Sequence, residues 1–193
     1  NGVIGAGARC EFSGAGSEME VRAGGLSSLS ELVIEDLEFR SNTNTALILG
    51  GEDTDGPLIV RRCIFISSAT SGISSVVHFE FATAAFASLT FANNIVFNPT
   101  GDSKVATDGL LLFDNPGASL GTETWRVYNN TFYGFSNSGL LADNSFGSGA
   151  TLNVRNNISV GNSVADFIVS GATSSTNNLS SDATGSAGLT SKA

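Results

Sequence analysis

The chain has 193 residues, of which 41% are hydrophobic, and 18 acidic residues against 9 basic ones give a formal net charge of −9. This balance disfavours proteins that bind nucleic acids or anionic membranes, because both bind through clustered Lys and Arg. No apolar run approaches the length of about eighteen residues that a membrane-spanning helix requires. Gly, Ser, Thr, Asn, Val, Ile and Phe dominate, which favours strands joined by turns in a single all-β domain.

One four-residue phrase returns seven times along the chain. The copies occupy residues 9–12, 36–39, 62–65, 93–96, 129–132, 156–159 and 177–180. Their second residues (10, 37, 63, 94, 130, 157 and 178) are 27, 26, 31, 36, 27 and 21 residues apart. A period in the twenties to thirties with strand-like content is typical of a solenoid, in which each repeat stacks on its neighbours.

Two apolar runs accompany the phrase. One run comes directly before it, as in Leu32-Val33-Ile34, and its alternation predicts a short strand. The other run follows the phrase, and its copies are aligned at Val21, Ile48, Val77, Leu111, Leu140 and Ile168. Two strands per repeat predict coils rather than hairpins, because Asn-Gly and Asp-Gly turns do not recur in register.

The last four copies of the phrase begin with paired asparagines. Asn tolerates the left-handed backbone of a tight corner, and Asn amides stacked about 4.8 Å apart form a hydrogen-bonded ladder. On these phrases and their flanking strands, the chain resembles right-handed parallel β-helix proteins of the pectate-lyase-like group. The resemblance implies an all-β, right-handed parallel β-helix solenoid of about seven coils over residues 1–180, followed by a Ser/Gly/Ala-rich tail over 181–193.

The two cysteines test this register. Cys10 and Cys63 occupy the same phrase position, with Leu37 between them. Two coils separate them by roughly 9.6 Å, whereas the Cα atoms of a disulfide lie within about 7 Å. We therefore predict free, buried thiols that pack as small hydrophobic groups.

The two longest repeats contain insertions, and insertions in a solenoid often form its binding face. Residues 98–108 include Asp102, Lys104 and Asp108, and Asp114 follows in the next apolar run. These four residues are the candidate ligand-binding site, where charged groups could grip a sugar or an ion. The alternative interpretation is a solvated polar turn.

Asp53 and Asp55, next to Glu52, are weak candidates for a metal site. Ca²⁺ prefers six to eight oxygen ligands, and this cluster supplies part of such a set. The other spaced ligands of known calcium loops are missing from the sequence, so a charged corner is the alternative. No cofactor other than this Ca²⁺ is predicted. The only histidine, His78, is interpreted as structural rather than catalytic.

Catalysis does not follow from the resemblance, because fold alone does not imply activity. Pectate lyases carry an Arg base with Ca²⁺-holding Asp residues, and related hydrolases carry Asn-x-Asp, Asp-Asp and Gly-His-Gly segments, none of which occurs here. Glu35 and Asp36 point to opposite faces of a strand, so they make a poor catalytic pair. Arg61 and Arg62 are expected to face no Asp cluster. No catalytic residue is assigned.

Three functional hypotheses remain. The first is a non-catalytic structural or binding module of an extracellular or virion surface protein (adhesin, phage fibre or capsid decoration). Its partners would be other protein chains, in a homo-oligomer or lattice, with polysaccharide as a further ligand. The second is a polysaccharide lyase or glycoside hydrolase of the same fold. The third is a supporting fragment of a larger enzyme, in keeping with a chain that begins at Asn1 without a Met or a signal-like segment.

Overall fold

The computed structural model describes residues 10–14, 19–24, 31–41, 47–52, 57–67, 73–81, 88–99, 106–114, 124–142, 151–169, 174–182 and 189–191. Every regular element within these residues is a β-strand, which confirms the all-β prediction. No helix among the same residues is long and apolar enough to cross a membrane.

Twenty short strands follow one another along the described chain. In chain order they are β1 (Cys10–Gly14), β2 (Met19–Gly24), β3 (Leu32–Glu35), β4 (Leu37–Ser41), β5 (Leu47–Glu52), β6 (Pro57–Arg61), β7 (Ile64–Ser67), β8 (Ile73–Phe81), β9 (Ser88–Ala92), β10 (Ile95–Phe97), β11 (Ala106–Asp114), β12 (Thr124–Tyr128), β13 (Thr131–Tyr133), β14 (Ser138–Ala142), β15 (Thr151–Arg155), β16 (Ile158–Val160), β17 (Ala165–Val169), β18 (Ser174–Thr176), β19 (Asn178–Ser180) and β20 (Leu189–Ser191).

The strands form three sheets in which all pairing is parallel. Sheet A has the order β1-β4-β7-β10-β13-β16-β19-β20, sheet B the order β17-β14-β11-β8-β5-β2, and sheet C the order β18-β15-β12-β9-β6-β3. From β1 to β16, each strand pairs with the strand three places further along the chain, and β20 pairs with β19. The chain therefore visits sheets A, B and C in turn before it returns to sheet A, an arrangement consistent with a parallel β-helix.

The strand pairing confirms the register predicted from the phrase. Cys10 pairs with Leu37 at the first two copies. The residues that follow the marker position in the later copies form one column across sheet A: Ile64, Ile95, Thr131, Ile158 and Leu179. Repeats of 21 to 36 residues therefore stack at a single phrase position, despite their unequal lengths.

Two details of the predicted repeat are wrong. Each repeat contains three strands instead of two, because the end of the phrase itself forms the strands of sheet A. In sheet B the observed column is Glu20, Ile48, His78, Leu111, Leu141 and Ile168, so the predicted alignment was one residue off at Val21, Val77 and Leu140. The connections between sheets A and B differ in length. Adjacent aliphatic residues such as Val76-Val77 and Leu140-Leu141 also hide a one-residue slip, because either residue of the pair suits an inward position.

A left-handed residue stands at each turn from sheet C to sheet A. The first residue of the phrase has a φ between 56° and 59° in six copies: Asp36, Arg62, Asn93, Asn129, Asn156 and Asn177. The predicted left-handed corner is thus confirmed at the four asparagines. It also occurs at Asp36 and Arg62, which shows that the stacked strands impose this backbone even on residues that favour it less.

The inward side chains of the three sheets form one apolar core. Sheet C contributes a buried column of Ile34, Val60, Phe91, Val127 and Val154. In sheet A, the rings of Phe39 and Phe65 stack with centroids 4.8 Å apart and planes inclined by 8°. Trp125 is 1% exposed and belongs to the same core.

Candidate functional site

A ladder of asparagine side chains runs through the turns from sheet C to sheet A. Its four members are the second residues of the Asn-Asn phrases: Asn94, Asn130, Asn157 and Asn178, each at most 1% exposed. The side-chain nitrogen of each donates to the Oδ1 of the next, over distances of 3.2, 3.0 and 2.9 Å. The backbone N–H of each also donates to the same Oδ1, at 2.9 to 3.0 Å. The predicted ladder is confirmed.

Every polar atom of a ladder amide is used. The second proton of Asn130 Nδ2 goes to the carbonyl of Phe91 at 2.9 Å, and Asn94 and Asn157 bond the carbonyls of Val60 and Val127 in the same way. An amide can make four such bonds, with two donated and two accepted. Because buried polar groups are expensive when unpaired, the ladder satisfies the corner without water.

The ladder begins at Cys63, which stands where the later copies have asparagine. The Cys63 backbone N–H donates to Asn94 Oδ1 at 2.9 Å, while the thiol lies 3.4 Å from the Arg61 carbonyl oxygen. Cys63 is a buried thiol that forms no disulfide, as predicted. The side chain of Cys10, the other predicted thiol, lies outside the described residues.

A second polar strip lies inside the turns from sheet A to sheet B. Asp108, near the start of β11, is 3% exposed, and its Oδ1 accepts hydrogen bonds from Asn137 Nδ2 at 2.9 Å, Ser138 N at 3.1 Å and Ser138 Oγ at 2.6 Å. Burial raises the pKa of the Asp108 carboxyl above its ordinary value, and these hydrogen bonds oppose the shift. Ser75, its neighbour in β8, is fully buried, and its hydroxyl has no hydrogen-bond partner in the described part of the chain.

Asp166 occupies the same kind of corner two repeats later. It is fully buried, and its Oδ2 accepts bonds from Ser180 Oγ at 3.0 Å and from Ser181 Oγ at 2.8 Å. Its backbone N–H donates to Asp182 Oδ2 at 2.9 Å. These contacts tie the start of β17 to the turn after β19, so Asp166 joins consecutive repeats.

The structure describes two of the four predicted ligand-binding residues, Asp108 and Asp114, and places them apart. Asp108 is buried within the fold, whereas Asp114 ends the same strand, six residues or about 20 Å further along. Asp102 and Lys104 lie outside the described residues, as do the calcium candidates Asp53 and Asp55. No group of three or more His, Cys, Asp or Glu side chains within the described residues is arranged to hold a metal ion.

Charged side chains meet across sheet C at the edge of the ladder corner. Glu35 Oε2 accepts hydrogen bonds from Arg61 Nε at 2.6 Å and from Arg62 Nη2 at 2.9 Å. Arg62 also binds both carboxylate oxygens of Asp36, at 2.8 and 2.7 Å. The hydrogen bond from Arg61 lowers the pKa of Glu35. Two expectations are therefore wrong: Arg61 and Arg62 do face carboxylates, and Glu35 and Asp36 do not point to opposite faces of one strand, because Asp36 stands in the turn after β3 and both carboxylates bind Arg62. Equal phrase positions in successive copies would have aligned Glu35 with Arg61.

The outer face of sheet A is apolar over five strands, from β7 to β19. Its most exposed members are Ile95 at 43%, Tyr133 at 51% and Ile158 at 40%. The alternate residues Val96 and Phe132 point inward and are fully buried. The backbone of Gly161 (φ +70°) lies directly beside the Tyr133 ring, because a Cβ atom there would come within 3.0 Å of it. The sequence did not predict this face, because the strands of sheet A lie within the phrase, where no strand was expected.

Comparison of the chain with protein-family models, with curated proteins and with solved structures found no match. The interpretation of the site therefore rests on the geometry above.

Proposed function

We propose that this chain is a right-handed parallel β-helix of about seven coils that serves as a non-catalytic structural and binding module. The observation that carries the proposal is the Asn94–Asn130–Asn157–Asn178 ladder, which joins neighbouring repeats through saturated amide bonds. The three parallel sheets support the coiled architecture. A right-handed path is supported by the strong preference for that hand in crossovers between parallel strands.

The disposition of the carboxylates supports a module rather than an enzyme. A glycoside hydrolase needs two carboxyl groups that both reach the substrate, about 5 to 9 Å apart. Glu35 and Asp36 are instead paired with Arg61 and Arg62. Asp108 and Asp166 are buried, and backbone and side-chain donors hold them in place. In each case the carboxylate has a structural role.

The setting proposed for the module is an extracellular or virion surface, as in an adhesin, a phage fibre or a capsid decoration. The acidic, Gly-, Ser-, Thr- and Asn-rich composition supports this setting. Stacked repeats present long, regular faces, which suit binding over an area. The partners proposed are other protein chains, with a polysaccharide as a secondary ligand.

Assays for the release of reducing ends and of unsaturated products from a panel of polysaccharides would test this function. We expect no release by the 193-residue chain, with far-UV circular dichroism confirming that it is folded. Release that disappears in Asp102→Ala or Lys104→Ala, but persists in the surface variant Val33→Ala, would establish the lyase or hydrolase alternative and overturn the proposal.

A further inference from the structure

The outer face of sheet A carries no charge over five consecutive strands, from β7 to β19. Strands β7, β10, β13, β16 and β19 contain no Asp, Glu, Lys or Arg, although the chain has a net charge of −9. Charged residues occur beyond one end of this face, at Glu11 of β1 and at Glu38 and Arg40 of β4, and Glu38 and Arg40 pair with each other. Two copies of an acidic protein repel one another, and a face without charged residues adds nothing to that repulsion.

One outward column of the face is arranged symmetrically about its middle strand, β13. One outward column reads Ile64, Ile95, Thr131, Ile158 and Leu179. Thr131 is its centre, Ile95 and Ile158 flank it with nearly equal exposure, and aliphatic side chains stand at both ends. A face of this kind is self-complementary under a two-fold rotation, which is the requirement of an isologous interface.

We propose that this face binds the same face of a second copy of the chain, about a two-fold axis that runs along β13. The rotation places Ile95 opposite Ile158 of the second copy, and Ile158 opposite its Ile95. Tyr133, which rests beside Gly161, packs near the axis. Two sheets packed face to face with nearly aligned strands lie about 10 Å apart, a distance that these side chains fill.

The small area of the face limits how tightly the second copy can bind. Five strands about 4.8 Å apart, each contributing three residues, cover roughly 250 Å² in projection. A stable dimer buries about 800 Å² on each partner. The interface therefore forms a weak dimer that dissociates on dilution. This dimer rests on the proposed function, because it specifies one of the proposed protein partners, a second copy of the chain, and the face that binds it.

Sedimentation velocity over a concentration series, from about 1 µM to about 1 mM, would detect this dimer. We expect the wild type to shift from monomer to dimer across the series. Ile95→Glu and Ile158→Lys should each weaken association roughly tenfold or more, because each places an unpaired charge against an apolar side chain. Val33→Glu, which makes the same kind of change at an exposed aliphatic residue of sheet C, is the matched control and should dimerise like the wild type.

Mixing the variants tests the direction of the axis. A mixture of Ile95→Glu with Ile158→Lys should dimerise more tightly than either variant alone, because a Glu then faces a Lys and an Ile faces an Ile. A mixture of Ile95→Glu with Ile95→Lys should show no such recovery. Tyr133→Ala leaves the charge of the face unchanged, and it should lower the affinity of the dimer independently of any charge effect.

Several outcomes would overturn the proposal. They are a folded monomer at every concentration, a dimer unaffected by Ile95→Glu and Tyr133→Ala, and recovery with Ile95→Lys instead of Ile158→Lys. Retention of a monomer on an insoluble polysaccharide that Tyr133→Ala abolishes would assign the face to a glycan, and would also overturn it. Polysaccharide cleavage by a protein that still dimerises would contradict the non-catalytic function alone, so the two failures are distinguishable.

Discussion

The two turns of this molecule that contain buried polar side chains use different chemical groups. The turn from sheet C to sheet A contains amides, from Asn94 to Asn178, and the turn from sheet A to sheet B contains the carboxylates of Asp108 and Asp166. Both corners bury polar groups inside a stack of parallel strands. Only the amides bond to their own kind in the next repeat.

The difference follows from what each group can donate. An amide donates and accepts, so one residue type can repeat at every level and extend the ladder. An ionised carboxylate only accepts, so each one needs its own donors, as Asp108 finds in Asn137 and Ser138. The amide corner can therefore be periodic, whereas each carboxylate corner must be built individually. Four substitutions test this contrast.

The largest effect is expected when a carboxylate enters the amide corner. Asn130→Asp keeps the size of the side chain but loses the two protons that bond the Phe91 carbonyl and Asn157 Oδ1. We expect a loss of about 3 kcal/mol or more in the free energy of unfolding near neutral pH, measured by urea denaturation.

The adjacent residue provides the control for that substitution. Asn129 is exposed and has the same left-handed φ that Asp36 adopts. Asn129→Asp should therefore change stability by less than about 0.5 kcal/mol. Equal losses at positions 129 and 130 would contradict a structural role for the ladder.

The converse substitution places an amide in the carboxylate corner. Asp108→Asn retains an oxygen for the three donors and removes the negative charge that burial disfavours at this position. We expect a gain of about 1 kcal/mol near pH 7. Because burial raises the folded-state pKa of Asp108, the wild type loses stability as the pH rises through that value.

The stability gain of Asp108→Asn should therefore shrink as the pH falls. It should vanish below about pH 4, where the wild-type carboxyl of Asp108 is neutral in both the folded and unfolded states. Thermal unfolding of both proteins between pH 3 and 7 would measure it. A gain that is constant with pH, or a loss at pH 7, would show that the buried carboxylate of Asp108 is not destabilising.

A smaller effect is expected from lengthening the ladder at Cys63. In Cys63→Asn, the new amide can donate to the Ile34 carbonyl and to Asn94 Oδ1, which now accepts only the Cys63 N–H from that repeat. We expect a stability gain of about 0.5 to 1 kcal/mol in urea denaturation. Cys63→Ser, whose side chain is too short to reach Asn94, is the control, and the prediction fails if both variants are equally stable.

The smallest effect is expected at Arg62, on the exposed edge of the amide corner. Arg62→Asn removes the ion pairs with Glu35 and Asp36 but supplies a residue better suited to the left-handed backbone. The wild-type Tm should fall more than the variant Tm between low salt and 1 M salt, because salt screens exposed pairs. A wild type and a variant with the same salt dependence would show that these pairs contribute nothing.

Much of the fold could be predicted because its repeat contains residue types, such as paired asparagines, whose chemistry suits few structural positions. The Asn-Asn phrases indicated both the left-handed corner and the ladder, and the phrase spacing aligned Cys63, Asn94 and Asn130 correctly. The sheet B register was predicted less well, because aliphatic residues such as Leu140 and Leu141 are nearly interchangeable in a sequence pattern.

The candidate site depended more on contacts between distant residues. The sequence marked Asp108 as a charged residue in a long loop, and the fold instead buries it against Asn137 and Ser138, about thirty residues away. The amino-acid sequence specified the repeat, the strands and the amide ladder, since these follow from local periodicity and from the donors and acceptors of each side chain. The stacking of the three sheets determined which charges pair, which carboxylates lose their water and which apolar face stays exposed, because those properties arise only when separate repeats come into contact.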